Sequence, residues 1–384
     1  MSRRRAATSL ALAAALIVAV HAEASHRPRM GGTLRFEIGA SVNSLDPNAK
    51  PATFKEALAR DEINWLLSET RKFITENEGA GAGGPFRVSD WEPGKRVVLV
   101  ANENWPQGRP YLDSIEIQMA RSAHDRLLDL DLDRADIVEI APEEARRASE
   151  RGVHVSVSQP DELLALVFLP SSEAADAEQQ KIGEAVSRSI DRAAIVNFIL
   201  QKEGEPAGGF LPQWSSGTAF LFSTATDPVA ARNLWSEIGR SLKITLGYDA
   251  SDSLEHSVAE RISVDVRETG GAISVVPDGP AHSSKGEGAR LVRLSMSSPN
   301  PREALAHFAN ELGPLAGAEF VAPPVDGGPQ QIYDAERAMV NTYRVVPLVW
   351  LPRAYGLGPR VRDWKTPGPG EGWPFADVWL GDMK

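Results

Sequence analysis

Seven consecutive apolar residues, Leu163 to Leu169 (LLALVFL), limit what this chain can fold into. A strand wet on one face alternates apolar and polar side chains. A run without alternation is read as a strand buried on both faces. The rest of the chain supplies elements to bury it. Thr33–Ile38 (TLRFEI) alternates and predicts a half-buried strand, and 96–101, 114–119, 243–248, 272–276, 290–296 and 345–351 also read as strands. Glu56–Ile74 has apolar residues at helical spacing, and helices are expected at 123–133, 142–151, 174–189, 192–202, 228–239, 254–269, 301–312 and 330–343. Asp191 stands where it can cap the helix that follows. Residues 204–217, 277–289 and 366–374 read as loops, and no period of 20–50 residues repeats. This alternation of strands and helices predicts the α/β class.

The N-terminus reads as an export signal. Arg3, Arg4 and Arg5 form a positive region, Ala6 to Val20 an apolar stretch of 15 residues, and Ala22-Glu23-Ala24 a small-x-small cleavage site. That is the pattern of a secretory signal peptide over 1–24, since a bilayer-spanning helix needs about 20 apolar residues. No later apolar run is long enough to span a membrane, so the expected protein is exported and not membrane-embedded. The chain has no Cys. This excludes a disulfide framework, a thiol nucleophile and Cys-ligated metal, and predicts that no acylated N-terminal Cys anchors it. A formal charge of -11 gives no support for nucleic-acid binding.

Motifs with chemistry in them mostly fail on context. Gly79–Gly84 contains GxGxxG, but Glu76-Asn77-Glu78 precede it and Pro85-Phe86 follow it, not a strand and a helix. Asp129, Asp131 and Asp133 resemble the start of a calcium loop. Arg134 and Ile140 stand where that loop needs Gly and Glu, and Leu128, Leu130 and Leu132 point to a buried helix or turn. His256 and Glu260 read as a solvated helical pair. Among the nine Trp, Trp65 and Trp235 lie in helices and are expected in the core. Trp105 and Trp214 lie in Pro/Gly-rich loops and become candidate ligand contacts. Nothing nominates a catalytic residue, a metal ligand or a cofactor.

Several stretches in order resemble one family. They are Gly31-Gly32-Thr33-Leu34-Arg35 with Ser44-Leu45-Asp46-Pro47; Gly84-Pro85-Phe86-Arg87-Val88 with Trp91-Glu92-Pro93-Gly94; Asn102-Glu103-Asn104-Trp105 with Gly108-Arg109-Pro110-Tyr111-Leu112-Asp113; and Ser189-Ile190-Asp191-Arg192 with Ile195-Val196. Together they are similar to the extracytoplasmic solute-binding proteins of the peptide/nickel ABC importers (family 5, the oligopeptide- and dipeptide-binding type). That resemblance implies a two-lobed periplasmic-binding-protein-like clamshell. It implies a peptide or similar small solute held between the lobes and delivered to a membrane permease, with no enzymatic step and no cofactor. The expected lobes are 30–107 with 291–384, and 108–290, and the expected protein is a periplasmic monomer.

Two departures from the family pattern stand out. Family members are longer, and only residues 48–83 fill the place of a long first-lobe segment, so a truncated first lobe is expected. Where the family often carries an acid that pairs with a peptide's α-amino group, this chain has Leu294 to Pro301 with none. Asn104, Trp105, Trp214, Ser298 and Asn300 are the candidate ligand-binding residues. The alternative in view of these departures is an exported interaction or sensing module that kept the scaffold and lost its ligand. An exported hydrolase is the remaining alternative.

Overall fold

The computed structural model describes residues 28–51, 53–68, 83–170, 176–216, 221–239, 242–278 and 288–382. The expected signal peptide and residues 79–82 of the Gly-rich stretch lie outside these. The chain runs β1 (Thr33–Glu37), α1 (Phe54–Ser68), β2 (Phe86–Glu92), β3 (Arg96–Ala101), β4 (Ser114–Gln118), α2 (Ala123–Asp131), β5 (Ile137–Ile140), α3 (Pro142–Glu150), β6 (His154–Val157) and β7 (Glu162–Phe168). It continues through α4 (Asp176–Ser189), α5 (Arg192–Ala194, extended by a π-helical turn Ile195–Ile199), β8 (Glu205–Pro206), α6 (Gln213–Ser216), α7 (Pro228–Ile238), β9 (Ile244–Tyr248), α8 (Ser253–Thr269) and β10 (Ile273–Pro277). It ends with β11 (Gly288–Ser295), α9 (Pro301–Ala316), α10 (Pro329–Asn341), β12 (Val345–Leu351), β13 (Ala354–Leu357), β14 (Val361–Arg362) and β15 (Trp379–Leu380).

All but the last residue of the apolar run lie in β7, where every residue is buried; Leu169, just past the strand, is exposed. It lies inside a six-stranded sheet ordered β10-β9-β11-β7-β12-β8, antiparallel to both neighbours. Successive side chains point to opposite faces of a strand. Leu164, Leu166 and Phe168 accordingly pack with Ile182, Val186, Val258 and Ile262 from α4 and α8. Leu163, Ala165 and Val167 pack with Leu305, Phe308, Leu312 and Met339 from α9 and α10. Each such Leu or Phe contributes about 1.5–3 kcal/mol when fully buried.

A second sheet of seven strands is ordered β2-β3-β4-β1-β5-β13-β6. β1 runs parallel to both β4 and β5. Its core holds Phe36, Ile63, Leu99 and Ile117 together with Trp373 and Phe375 from the C-terminal loop. The Phe36 and Trp373 rings meet edge to face at 4.7 Å. The polar side of α1 clamps the extended segment after β1. Glu56 Oε1 accepts from Asn43 N at 2.9 Å, Asn64 Nδ2 donates to Leu45 O at 3.0 Å, and Arg60 Nη1 donates to Ala49 O at 2.6 Å. Gly84 N donates to Leu67 O at 2.6 Å, so the described chain on either side of 69–82 meets at the C-terminal end of α1.

These sheets are the two lobes, and the pairing moves the lobe limits. Residues 114–157, expected in lobe two, pair beside β1 in lobe one; β12, expected in lobe one, pairs with β7 in lobe two. The chain crosses at 158–161 and again at 352–353, not at 107 and 290. A strand's local pattern says how many of its faces are buried, not which sheet it joins. The helix expected over 192–202 also stops early. Gln201 and Lys202 have φ of 53° and 73°, which a right-handed helix cannot accommodate.

Candidate functional site

A cleft of about 500 Å³ lies between the sheets. One wall is built at the carboxyl ends of the parallel strands β1, β4 and β5, by the segments 39–43, 120–126 and 139–143. Open α/β sheets place ligand sites at such strand ends. The opposite wall carries Glu162 at the head of β7, Asp252 before α8 and Arg293 in β11; the crossing 352–355 forms the floor. Gly39 opens one wall, because a Cβ there would stand 2.4 Å from Arg126 Nη1.

The cleft is densely charged. Arg293, 6% exposed, reaches Asp252 at 3.0 Å, Glu162 at 3.8 Å and Glu255 at 3.9 Å. Burial pushes the Glu162 and Glu255 carboxyls up to about 7, with Arg293 pulling the other way. Burial also acts to raise Asp252, but Arg293 and Lys55 reverse it and hold that carboxyl below its usual range. Lys55 of α1 meets Asp252 at 3.2 Å and so ties lobe one to lobe two.

A second cluster locks the crossing. Arg353 Nη1 donates to Glu62 of α1 at 3.1 Å, and Nη2 to Asp161 at 2.6 Å and to the carbonyls of Pro367 and Gly368. Ser158 N donates to Arg353 O at 2.9 Å, Arg353 N to Ser158 Oγ at 2.9 Å, and Asp161 N to Leu351 O at 3.1 Å. The two crossing segments are thus stitched side by side.

Two groups on the lobe-one wall keep unused hydrogen-bonding capacity. Glu143 Oε2, at the start of α3, and Arg126 Nε, in α2, are buried with no hydrogen-bond partner among the described residues. Burial raises the Glu143 carboxyl, and Asp252 adds to that while Arg293 and Lys55 oppose it. A buried polar atom left unmatched costs free energy that a ligand group can recover.

None of the five residues expected to touch ligand lines this cleft. Asn104 and Trp105 lie in the loop before β4, at the end of the sheet away from the strand carboxyl ends. Trp214 is half-buried against the lobe-two core and donates Nε1 to Pro160 O at 2.8 Å. Ser298 Oγ accepts from Asn300 N at 3.1 Å, and Asn300 Oδ1 accepts from Arg302 N at 3.0 Å, capping α9. The Trp214 indole is thus used for packing, and Trp105 stands outside the cleft. An N-cap Asn contributes about 1 kcal/mol. Asn300→Ala is therefore expected to lower stability by about that amount in urea unfolding and to leave ligand affinity unchanged; a tenfold loss of affinity would instead make Asn300 a ligand contact.

The motifs set aside on context are occupied structurally. Asp129 pairs with Arg121 and, at 3.5 Å, with Arg134. Of the three leucines there only Leu130 is buried; Leu128 in α2 and Leu132 just past its end are 42% and 50% exposed. His256 and Glu260 form an exposed pair at 3.7 Å. Trp235 is half-buried and donates to Thr269 at 3.3 Å, and Trp65 packs over Gly372. Among the described residues no group of His, Cys, Asp and Glu is placed to hold a metal ion, and no helix is long and apolar enough to cross a membrane.

Two α/β lobes, two stitched crossings and a charged cleft at strand carboxyl ends define a two-lobed binding protein. Residues 34–289 match the family described as Bacterial extracellular solute-binding proteins, family 5 Middle, and the chain belongs to that family. The probable D,D-dipeptide-binding periplasmic protein DdpA of Escherichia coli (strain K12) is 25% identical over 206 residues, covering 53% of this chain and 38% of that protein. The match thus spans well under half of that relative's length. The oligopeptide-binding protein AppA of Bacillus subtilis, solved with a nonapeptide, aligns at a TM-score of 0.71 and 11% identity, over 93% of this chain and 100% of that one. The ABC transporter substrate-binding protein CtaP of Listeria monocytogenes aligns at 0.64 and 17% identity, over 81% and 69%. At these identities the structures establish the fold.

Proposed function

We propose that this protein is the exported, periplasmic solute-binding component of an ABC importer. It holds a short peptide or similar zwitterionic solute between its lobes and presents the closed form to a permease. The observation that carries this reading is the cleft itself: about 500 Å³, walled by both lobes, with a buried carboxylate oxygen on Glu143 and a buried guanidinium N–H on Arg126 awaiting partners. A volume of that order suits a small ligand. The acid expected near 294–301 is missing, and Glu143 on the other lobe is positioned to take an ammonium group in its place. The crossings at 158–161 and 352–353 serve as the hinge. A scaffold that had lost its ligand would have no reason to keep unmatched buried polar atoms on two residues that line the cleft.

Titration calorimetry with di- and tripeptides, free and N-acetylated, tests this. Free-amino peptides should bind at sub-millimolar affinity. Glu143→Gln should weaken them roughly tenfold or more, as loss of a hydrogen bond to a charged group does. No binding by any peptide, with an envelope partner recovered instead of a permease, would return the interaction module as the better reading.

A further inference from the structure

We propose that lobe two carries a second ligand pocket, for a small organic monoanion: a carboxylate attached to an apolar or aromatic body. The pocket measures about 290 Å³ and is bounded by the turn from α4 to α5, the loop 221–225, α10 and the first residues of β12. β12 starts here and ends at the cleft, so strand rise puts the two sites about 20 Å apart. No residue lines both.

The wall holds three arginines, Arg188, Arg192 and Arg337, and no carboxylate. The outer two have acids behind them. Arg188 pairs with Glu184 at 2.8 Å and Asp227 at 3.4 Å, and Arg337 with Asp334 at 3.2 Å. Arg192 is different. It is 3% exposed, and its donors go to Pro347 O at 2.8 Å, Ser187 O at 3.1 Å and Ser187 Oγ at 3.1 Å. Among the described residues no acid lies within ion-pair distance of it. Burial without a counter-charge pulls its pKa down to about 10. A guanidinium has five N–H donors, so these three acceptors leave two. A buried cation lacking an anion is costly, and one negative charge in the adjoining cavity removes that cost.

The rest of the wall decides what carries the charge. Val340, Val346 and Pro347 are apolar, and Phe222 and Tyr333 stack at 5.6 Å between ring centroids. Arg337 stands over the Tyr333 ring at 5.4 Å. One unmatched positive charge beside an aromatic and aliphatic surface fits a monocarboxylate with a hydrocarbon body better than a compact, multiply charged oxyanion.

Benzoate is the probe, with benzamide and inorganic phosphate as comparisons, titrated into the full chain with and without a saturating free dipeptide. Benzoate should bind with a dissociation constant on the order of 1 mM or below. It should raise the melting temperature whether or not the cleft is filled, and benzamide should do neither. Arg192→Met should abolish benzoate binding. If that variant does not fold, the double substitution Arg188→Gln with Arg337→Gln, on the rim, should weaken benzoate several-fold and leave cleft affinity as it was. Equal binding of benzamide, preferential binding of phosphate, or retention of benzoate by both variants overturns the proposal. So does competition between benzoate and that dipeptide. Failure of peptides to bind the cleft would leave this result untouched.

Discussion

Arg353→Met is expected to lower the stability of the folded chain by about 3–5 kcal/mol, the range for removing one partner of a buried ion pair. Arg353 is 10% exposed and joins two carboxylates that are more buried still, Glu62 at 3% and Asp161 at 1%. Burial opposes its charge, but Asp161, Tyr355 and Glu62 more than reverse that, so its pKa is raised. Met fills similar volume and supplies no charge, so both acids would be left in the interior. Glu62 would keep its bond from Trp373 N at 2.8 Å, but Asp161 would lose its cation, and its Oδ1 already has no hydrogen-bond partner among the described residues. Pro367 and Gly368 would also lose the donor that holds their carbonyls. Arg353→Lys should recover only part of the loss, because an ammonium cannot extend a planar fork to Glu62 and Asp161 together. Urea unfolding of the three proteins measures this. Because Arg353 sits at the crossing, the Met variant should also unfold less cooperatively, lobe by lobe. A loss below about 1 kcal/mol would mean that the pair is no stronger than an exposed one.

The fold was legible where local pattern suffices. The unbroken apolar run at Leu163–Leu169 announced a strand buried on both faces, and β7 is one. Asp191 was expected as a cap, and its side chain accepts from Ala194 N. Lobe membership was not legible, because β1 joins β4 and β5 by pairings that span 81 and 101 residues of sequence, as Thr33 with Ser114 and Phe36 with Ile137 show. The cleft residues were not legible for a different reason. Loop aromatics stand out in the sequence, while the cleft is built from charged residues inside or beside apolar strands. Arg293 interrupts LVRLS, Glu139 interrupts IVEI, and Glu162 heads the β7 run. A lone charge among core-facing positions is seldom left unpaired in a folded protein. Three of them, on three strands, were the available signal. What no pattern supplies is that separate strand ends bring them to one cavity.

Arg293 provides the second large effect, and its dependence on pH identifies the cause. Arg293→Met removes the cation that Asp252, Glu162 and Glu255 share. At pH 8 the expected loss is again about 3–5 kcal/mol. A carboxyl whose folded pKa stands above its unfolded value contributes most below the unfolded pKa, and that contribution declines as pH rises through the folded pKa. Glu162 and Glu255 fit this case, raised from 4.5 to about 7 by burial. Near pH 5 they are protonated in the fold and need little from Arg293; near pH 8 they are ionised and depend on it. Without Arg293 both carboxyls rise further, so the penalty should shrink steadily from pH 8 to pH 5. Asp252 behaves oppositely, since its folded pKa is depressed. Its stabilisation holds at pH 5 and above and is lost only as pH falls through that depressed pKa, so the part of the loss due to Asp252 persists across the window. Urea unfolding at pH 5, 6, 7 and 8 reads the slope directly. A penalty independent of pH would show that Arg293 acts by packing its stem and not by its charge. In that case the cleft would be governed by shape, and Glu143→Gln should leave peptide affinity unchanged.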